Sequence, residues 1–354
     1  MRIYNCVINL KNEIYRWLIE KPRLDAFQRF IRRSGDRDYC KMVAERDPLT
    51  VHCIAYGDEN RGKPIFYIKL GNKNHGFCAL LRTTIVNLLY CDDLGLQPAI
   101  YWNPNIAYAD KGRKESNPYE YYFEQPVISI EDVYKSCSVY LANENHSDES
   151  FFYGTNKSKE QYLLSNAVLE RMAQVTWKYI KVKQEILVDT STKFNTIVQN
   201  RSVLGVHFRG TDFFMNYNNH PVGVTCEEYF TEIDRLLQEK RYERIFLATD
   251  DKNALDLFRQ KYGEKLLFYP EVERGTEKRS VAFSNNDRKL HYYWLGREVL
   301  QDMLSLAKCD GYVGSMSNVS ICAMVFNKAF EKGFEDIYIF NKGINHNRNN
   351  FYRT

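Results

Sequence analysis

The chain has 354 residues, 44% hydrophobic, 27% charged and 14% aromatic, with a formal net charge of +4. This composition excludes global disorder, and the charge is too small to make nucleic acid the expected partner, although it leaves room for a local basic cluster serving an anionic ligand. The length exceeds what one hydrophobic core usually serves, so two domains are expected.

Nine cysteines, at 6, 40, 53, 78, 91, 137, 226, 309 and 322, are scattered and form no Cys-x-x-Cys pair. They read as reduced, mostly buried thiols of a reducing compartment, not as a disulfide framework or a zinc site. The opening MRIYNCVINLKNEIYRWLIEK is interrupted by Asn, Lys and Glu, and so carries neither the apolar stretch of a signal peptide nor a membrane span. A cytoplasmic protein is expected, whose association with a membrane, if any, is peripheral. The sequons at Asn145 and Asn318 then have no glycosylation meaning.

The first ~60 residues mix short helical patterns with basic runs and define no architecture. Asp36-Arg-Asp38 has the spacing with which a nucleotide-sugar enzyme can hold a divalent metal, but it follows the basic run FQRFIRRSG, not an apolar strand, which argues against that role. From 63 to 102 the pattern is firmer. An apolar strand at 65–70 meets a Gly/Asn turn, Phe77, Leu80, Leu81, Thr84, Ile85, Leu88 and Leu89 recur at helical spacing, Gly95 closes the helix, and a second strand follows. This is a βαβ unit. Residues 105–160 are rich in Tyr, Asn and Glu and read as insertions around a cleft, while 161–198 read as helical.

From Val203 strands and helices alternate: strand 203–208, helix 226–240, strand 244–249, helix 251–262, strand 265–269, helix 289–307, strand 311–314, helix 317–326. Thr225 with Glu228 forms a capping box at the first of these helices. The alternation predicts a parallel sheet covered on both faces. The fold class expected is α/β, with two Rossmann-like domains facing each other across a cleft. Residues 1–195 would form the first, acceptor-side domain and 196–354 the second, nucleotide-sugar domain, with the boundary near 190–202.

In such sheets ligands bind at the carboxyl ends of the strands. Three polar clusters fall there: His207-Phe-Arg-Gly-Thr-Asp212, Thr249-Asp250-Asp251 and Gly314-Ser-Met-Ser-Asn-Val-Ser320. Arg209 offers a permanently charged fork suited to phosphate oxygens. Ser315, Ser317 and Asn318 open a helix whose free N–H groups and dipole favour an anion, with Gly314 leaving space for a ligand. Asp302 lies beside the stripe of Val299, Leu300, Met303, Leu304 and Ala307, at the rim of a pocket. Each residue also has a plainer reading: Arg209 paired with Asp212, Ser317 or Asn318 as a helix cap, His207 as a satisfied core histidine, Asp302 as a solvated charge, and Asp250-Asp251 as caps of the next helix. No Walker loop and no Gly-x-Gly-x-x-Gly fingerprint is present, so neither a P-loop NTPase nor a nicotinamide dehydrogenase is supported.

The order GVHFRGTD, IFLATDD, LQDMLSLAKCDGYVGSMSNVS resembles the three donor-site motifs of the GDP-fucose-dependent α-1,6 and protein O-fucosyltransferase superfamily. GNKNHGFCALLRTTIVNLLYCDDLGLQPAIYW, with its loop of Asn74, His75, Gly76 and Phe77, is similar to the Gly-rich strand-turn-helix of the family's first domain. The resemblance covers roughly 65–102 and 203–327. It implies two facing Rossmann-like domains (a GT-B architecture), GDP-fucose as donor, a glycan or glycan precursor as acceptor, inversion at the anomeric carbon, and neither metal nor other cofactor. It places His207 and Asp302 on the guanine, Arg209 on the diphosphate, Ser317 and Asn318 on the phosphates, Arg297 in register with a family arginine, and Asp250 in the middle motif. Asp212 falls on a candidate base. Two departures concern the acceptor side: Gly210 replaces the second Arg of His-x-Arg-Arg-x-Asp, and no acid follows Asp212 before Glu227. The alternatives are a two-domain glycosyltransferase using another nucleotide sugar and an inactive, carbohydrate-binding relative.

Overall fold

A computed structural model describes residues 52–71, 75–141, 166–218, 220–240, 242–276, 281–283 and 287–346. The Asp36-Arg-Asp38 motif, Asn74, Asn145, Cys6 and Cys40 lie outside the described residues, as does the side chain of Asp212.

The first half builds a four-stranded sheet in the order β1-β5-β2-β3 from β1 (His52–Ile54), β2 (Ile65–Leu70), β3 (Gln97–Trp102) and β5 (Val139–Leu141). β2 runs parallel to β3 and β5, and β1 is antiparallel at the edge. The crossover from β2 to β3 is α1 (Phe77–Asp93), and the chain reverses after it at Gly95, whose φ of +64 favours glycine. α1 is buried on nearly all sides, including Thr83, Thr84, Ile85 and Val86, residues with modest helix propensity. Packing, not propensity, holds it as a helix. Its buried polar side chains are matched locally: Thr84 Oγ1 donates to Leu80 O at 2.9 Å and accepts from Trp102 Nε1 at 3.1 Å, and Asn87 Nδ2 donates to Thr83 O at 2.8 Å.

Between β3 and the second half lie the pair β4 (Phe123–Glu124) and β6 (Lys181–Val182), the short α2 (Ile130–Val133), and the helices α3 (Asn166–Tyr179) and α4 (Gln184–Val198). Of the stretch expected as insertions, the described residues 105–141 contribute short elements here, and the described part of the region expected to be helical forms two helices separated by β6.

The second half is a five-stranded, wholly parallel sheet in the order β11-β10-β7-β8-β9, from β7 (Val203–Phe208), β8 (Arg244–Thr249), β9 (Leu266–Leu267), β10 (Gly311–Ser315) and β11 (Asp336–Phe340). Its helices are α5 (Cys226–Lys240), α6 (Lys252–Tyr262), α7 (His291–Leu306) and α8 (Asn318–Ala329). The expected capping box is formed: Thr225 N donates to Glu228 Oε2 at 2.8 Å and Glu228 N to Thr225 Oγ1 at 3.4 Å. β9 is shorter than the expected 265–269, and β11 was not expected.

Strand alternation sorts the core into faces. Leu204, Val206 and Phe208 of β7 join Ile245 and Leu247 against α5 and α6. Val203, Phe246, Ala248 and Tyr312 face the other way, into a cluster that also holds Leu300, Met303, Ile321 and Met324 of α7 and α8. That cluster continues without interruption through α1 and α3 to Phe66, Ile68 and Leu70 of β2. The two sheets therefore share a core, with α1 packed against α3, α7 and α8. A second junction is aromatic. Tyr122 stacks on Tyr293 of α7, ring centroids 5.5 Å apart at 8°, and its hydroxyl donates to Tyr293 O at 2.9 Å. The close approach requires Gly296, where a Cβ would overlap the Tyr122 hydroxyl.

Candidate functional site

In the parallel sheet the carboxyl ends of β7, β8 and β10 lie side by side, since β7 is hydrogen-bonded to both neighbours. This brings the three polar clusters together. His207 is the penultimate residue of β7 and faces α8, on the side opposite Val206 and Phe208. Only 5% exposed, its imidazole is pushed by burial down to about 4, so it is neutral at neutral pH. Its Nδ1 is 3.2 Å from Ser317 Oγ, and its carbonyl accepts from Tyr229 Oη at 2.9 Å.

Ser317 is the N-cap of α8. Its Oγ accepts from Ser320 N at 3.1 Å, while Ser320 Oγ donates to Ser315 O at 2.7 Å and accepts from Tyr312 Oη at 2.9 Å. Asn318 is the first helical residue, in the turn whose N–H groups have no intrahelical acceptor. Capping, the plainer of the two readings of Ser317, is therefore observed. One expectation fails: the space above Gly314 is filled by Ser320 Oγ and the Tyr312 ring, so this glycine serves packing, not ligand approach.

Arg209 leaves the end of β7 and pairs through Nη1 with Asp250 at the end of β8. The same carboxylate accepts from Gly210 N at 3.0 Å and Thr211 Oγ1 at 2.8 Å. Its neighbour Asp251 caps α6, accepting from Asn253 N at 2.8 Å and Ala254 N at 3.2 Å, which is the plain capping role weighed above. Thr211 begins the 3-10 turn Thr211–Met215, which contains Asp212, and has φ +44. A β-branched residue there costs about 1–3 kcal/mol.

Asp302 lies on α7 and is 8% exposed, a buried carboxylate and not a solvated charge. Burial pushes its carboxyl up to about 7, opposed by nearby Arg274 and reinforced by Glu298 and Glu271. Its Oδ1 is buried with no hydrogen-bond partner among the described residues. Arg297, one and a half turns earlier, donates through Nη2 to Asp189 Oδ2 at 2.6 Å and lies 3.4 Å from Ile186 O, tying α7 to α4, while its Nη1 is buried without a described partner.

Gly76 is the N-cap of α1, and His75 precedes it, partly exposed. Phe77, expected in the loop, is the first helical residue and a core side chain, edge-on to Trp102, Tyr108 and Tyr122. The start of α1 adjoins the second-half cluster. The Cys78 thiol is raised by its hydrogen bond with Cys322 of α8 and by burial, and the charges of Arg209 and Asp302 both reach it, the first lowering and the second raising it. All seven cysteines among the described residues are free.

Thr211, Tyr229 and Arg274 were given no role from sequence. Thr211 sits inside the first motif and was reachable by position; Tyr229 and Arg274 carry no local signal.

No family model matches the chain, and no curated protein matches it. Among solved structures it is similar to a NodZ α-1,6-fucosyltransferase soaked with GDP-fucose, at 14% identity and TM-score 0.46 over 75% of this chain and 93% of that one. NodZ from Bradyrhizobium gives 15% and 0.42 over 74% and 92%. POFUT1 in its apo form gives 10% and 0.46 over 79% and 99%. At such values function has to be argued from this chain's own residues.

Proposed function

We propose that the protein is an inverting, metal-independent glycosyltransferase that moves fucose from GDP-fucose to a glycan acceptor, with the donor on the second half. The observation that carries the reading is Asp302, a buried carboxylate with an unmatched oxygen. A carboxylate only accepts hydrogen bonds, and guanine presents two adjacent N–H donors, at N1 and N2, on one edge. Uracil places a single N–H between two carbonyl oxygens, which a carboxylate repels. His207, neutral and hydrogen-bonded at Nδ1, can complete recognition of the base. Arg209 and the first turn of α8, opened by Ser317 and Asn318, form the anion-binding half of the site.

As the sugar–oxygen bond breaks, negative charge grows on the β-phosphate while the sugar becomes oxocarbenium-like. Fixed donors aimed at that oxygen lower the barrier without a metal. Support for the metal-free reading is that Asp250 and Asp251 are engaged by N–H and O–H donors of the protein. By its place in the motif, Asp212 is the candidate base for the acceptor hydroxyl.

The test is calorimetric titration with GDP, UDP and NAD in EDTA, followed by an acceptor screen with GDP-fucose. GDP binding that survives EDTA and that UDP and NAD fail to match is expected. Preference for UDP, or no binding, overturns the assignment.

A further inference from the structure

We infer that Asp250 and Thr211 are positioning residues for the phosphate end of the donor, an inference that rests on the GDP-sugar reading of the site. The starting observation is the left-handed backbone of Thr211, φ +44. Such a conformation persists in a β-branched residue only where its surroundings over-determine it. They do so here. One carboxylate, Asp250, holds three consecutive residues at once: the guanidinium of Arg209, the main-chain N–H of Gly210 at 3.0 Å and the hydroxyl of Thr211 at 2.8 Å. The Thr211 N–H faces the second carboxylate, Asp251 Oδ2, at 3.5 Å, and Asp251 is itself fixed by capping α6.

Gly210 is part of the device. A Cβ at this position would overlap the Asp251 carboxyl, so the turn and the start of α6 approach this closely only because the residue is glycine. Where the α-1,6 pattern has a second arginine, this chain has space taken up by the acid that caps α6. The consequence falls on Arg209. Its long side chain has many rotamers in solution, and pairing through Nη1 with Asp250, over the ring of Phe213 at 5.7 Å, selects one orientation of the fork before any ligand arrives. Charge fixed in advance is what stabilises a developing phosphate anion most.

The readout is the ratio of affinities for GDP and GMP, which differ by the β-phosphate alone. Wild type should prefer GDP by at least about tenfold. Asp250→Ala and Thr211→Gly should each lower that ratio by about tenfold while GMP affinity stays within about threefold, because His207 and Asp302 are untouched. Thr211→Gly relieves the backbone strain, so its folding is not at risk, and Thr211→Ser, which keeps the hydroxyl, should restore the ratio. An unchanged ratio in both Asp250→Ala and Thr211→Gly overturns the inference, as does parallel weakening of GDP and GMP, the mark of a merely structural role. Wild type without preference for GDP would instead sink the donor reading itself, before any variant is made.

Discussion

Arg209 pairs with Asp250. On the GDP-fucose reading proposed above, removing the arginine takes away a charge-assisted contact with the leaving diphosphate. Arg209→Ala should lower kcat/KM by two to three orders of magnitude, roughly 2 to 4 kcal/mol of transition-state stabilisation; a loss under tenfold would show that the phosphate lies elsewhere. Asp302 supplies a pH signature. With its carboxyl raised to about 7, the ionised form that the proposed guanine contact requires is lost as pH falls through that value, so on that reading GDP affinity should decline toward about tenfold per pH unit below it and level off above it. Asp302→Asn should flatten the profile, separating this proton from those on the phosphates. Stability is a poorer readout. The raised Asp302 favours the folded state as pH falls from about 7 toward 3.8, whereas the lowered His207 disfavours it as pH falls from 6.5 toward about 4, and the two offset each other. The grouping of His207, Arg209, Asp250 and Ser317 was legible in the sequence because strand ends in a parallel sheet converge by topology. The turn that holds Arg209 was not, since Gly or Asn announces a left-handed backbone and Thr does not.

Among the elements, α7 bears the most constraints: its start receives Tyr122 from the first half, its middle carries Arg297 and Asp302, and its inner face fills the shared core. Gly296→Ala would press a methyl group into the Tyr122 hydroxyl. Overpacking of this kind costs about 1–3 kcal/mol, so a thermal midpoint lower by a few degrees is expected; an unchanged midpoint would mean that the aromatic junction yields freely. The long helices and β2, β3, β7, β8 and β10 were readable because each shows its period over enough residues. β1 and β5, of three residues each, are too short to show one. β11, DIYIF, is an edge strand with Ile337 and Tyr338 exposed, so it lacks the buried run of its neighbours. The shortened β9 reflects pairing: only Ile245 and Phe246 of β8 have partners in it.

For the whole molecule, the decisive fact is that one apolar cluster runs from β2 through α1 and α3 to α7, α8 and the second sheet. Chains with separate domains commonly unfold in steps, but halves that share a core should melt together. Far-UV and near-UV circular dichroism should therefore trace the same transition on heating, and two resolved steps would show that the halves keep independent stability. The sequence predicts two halves with a boundary near 190–202. It carries no sign that they are fused at the core, because an apolar residue facing its own sheet and one facing a neighbouring half look alike in a sequence.

The same continuity sets a limit on engineering. On the glycosyltransferase reading proposed above, the chain invites cut-and-paste redesign, in which one half would be kept for a sugar nucleotide and the other exchanged to change what receives the sugar. Here a cut between α4 and β7 would strip α8 of its contacts with α1 and α3 and α7 of its contacts with α1, and leave a greasy face on each fragment. A new specificity is better sought by altering the loop residues around the site than by transplanting halves.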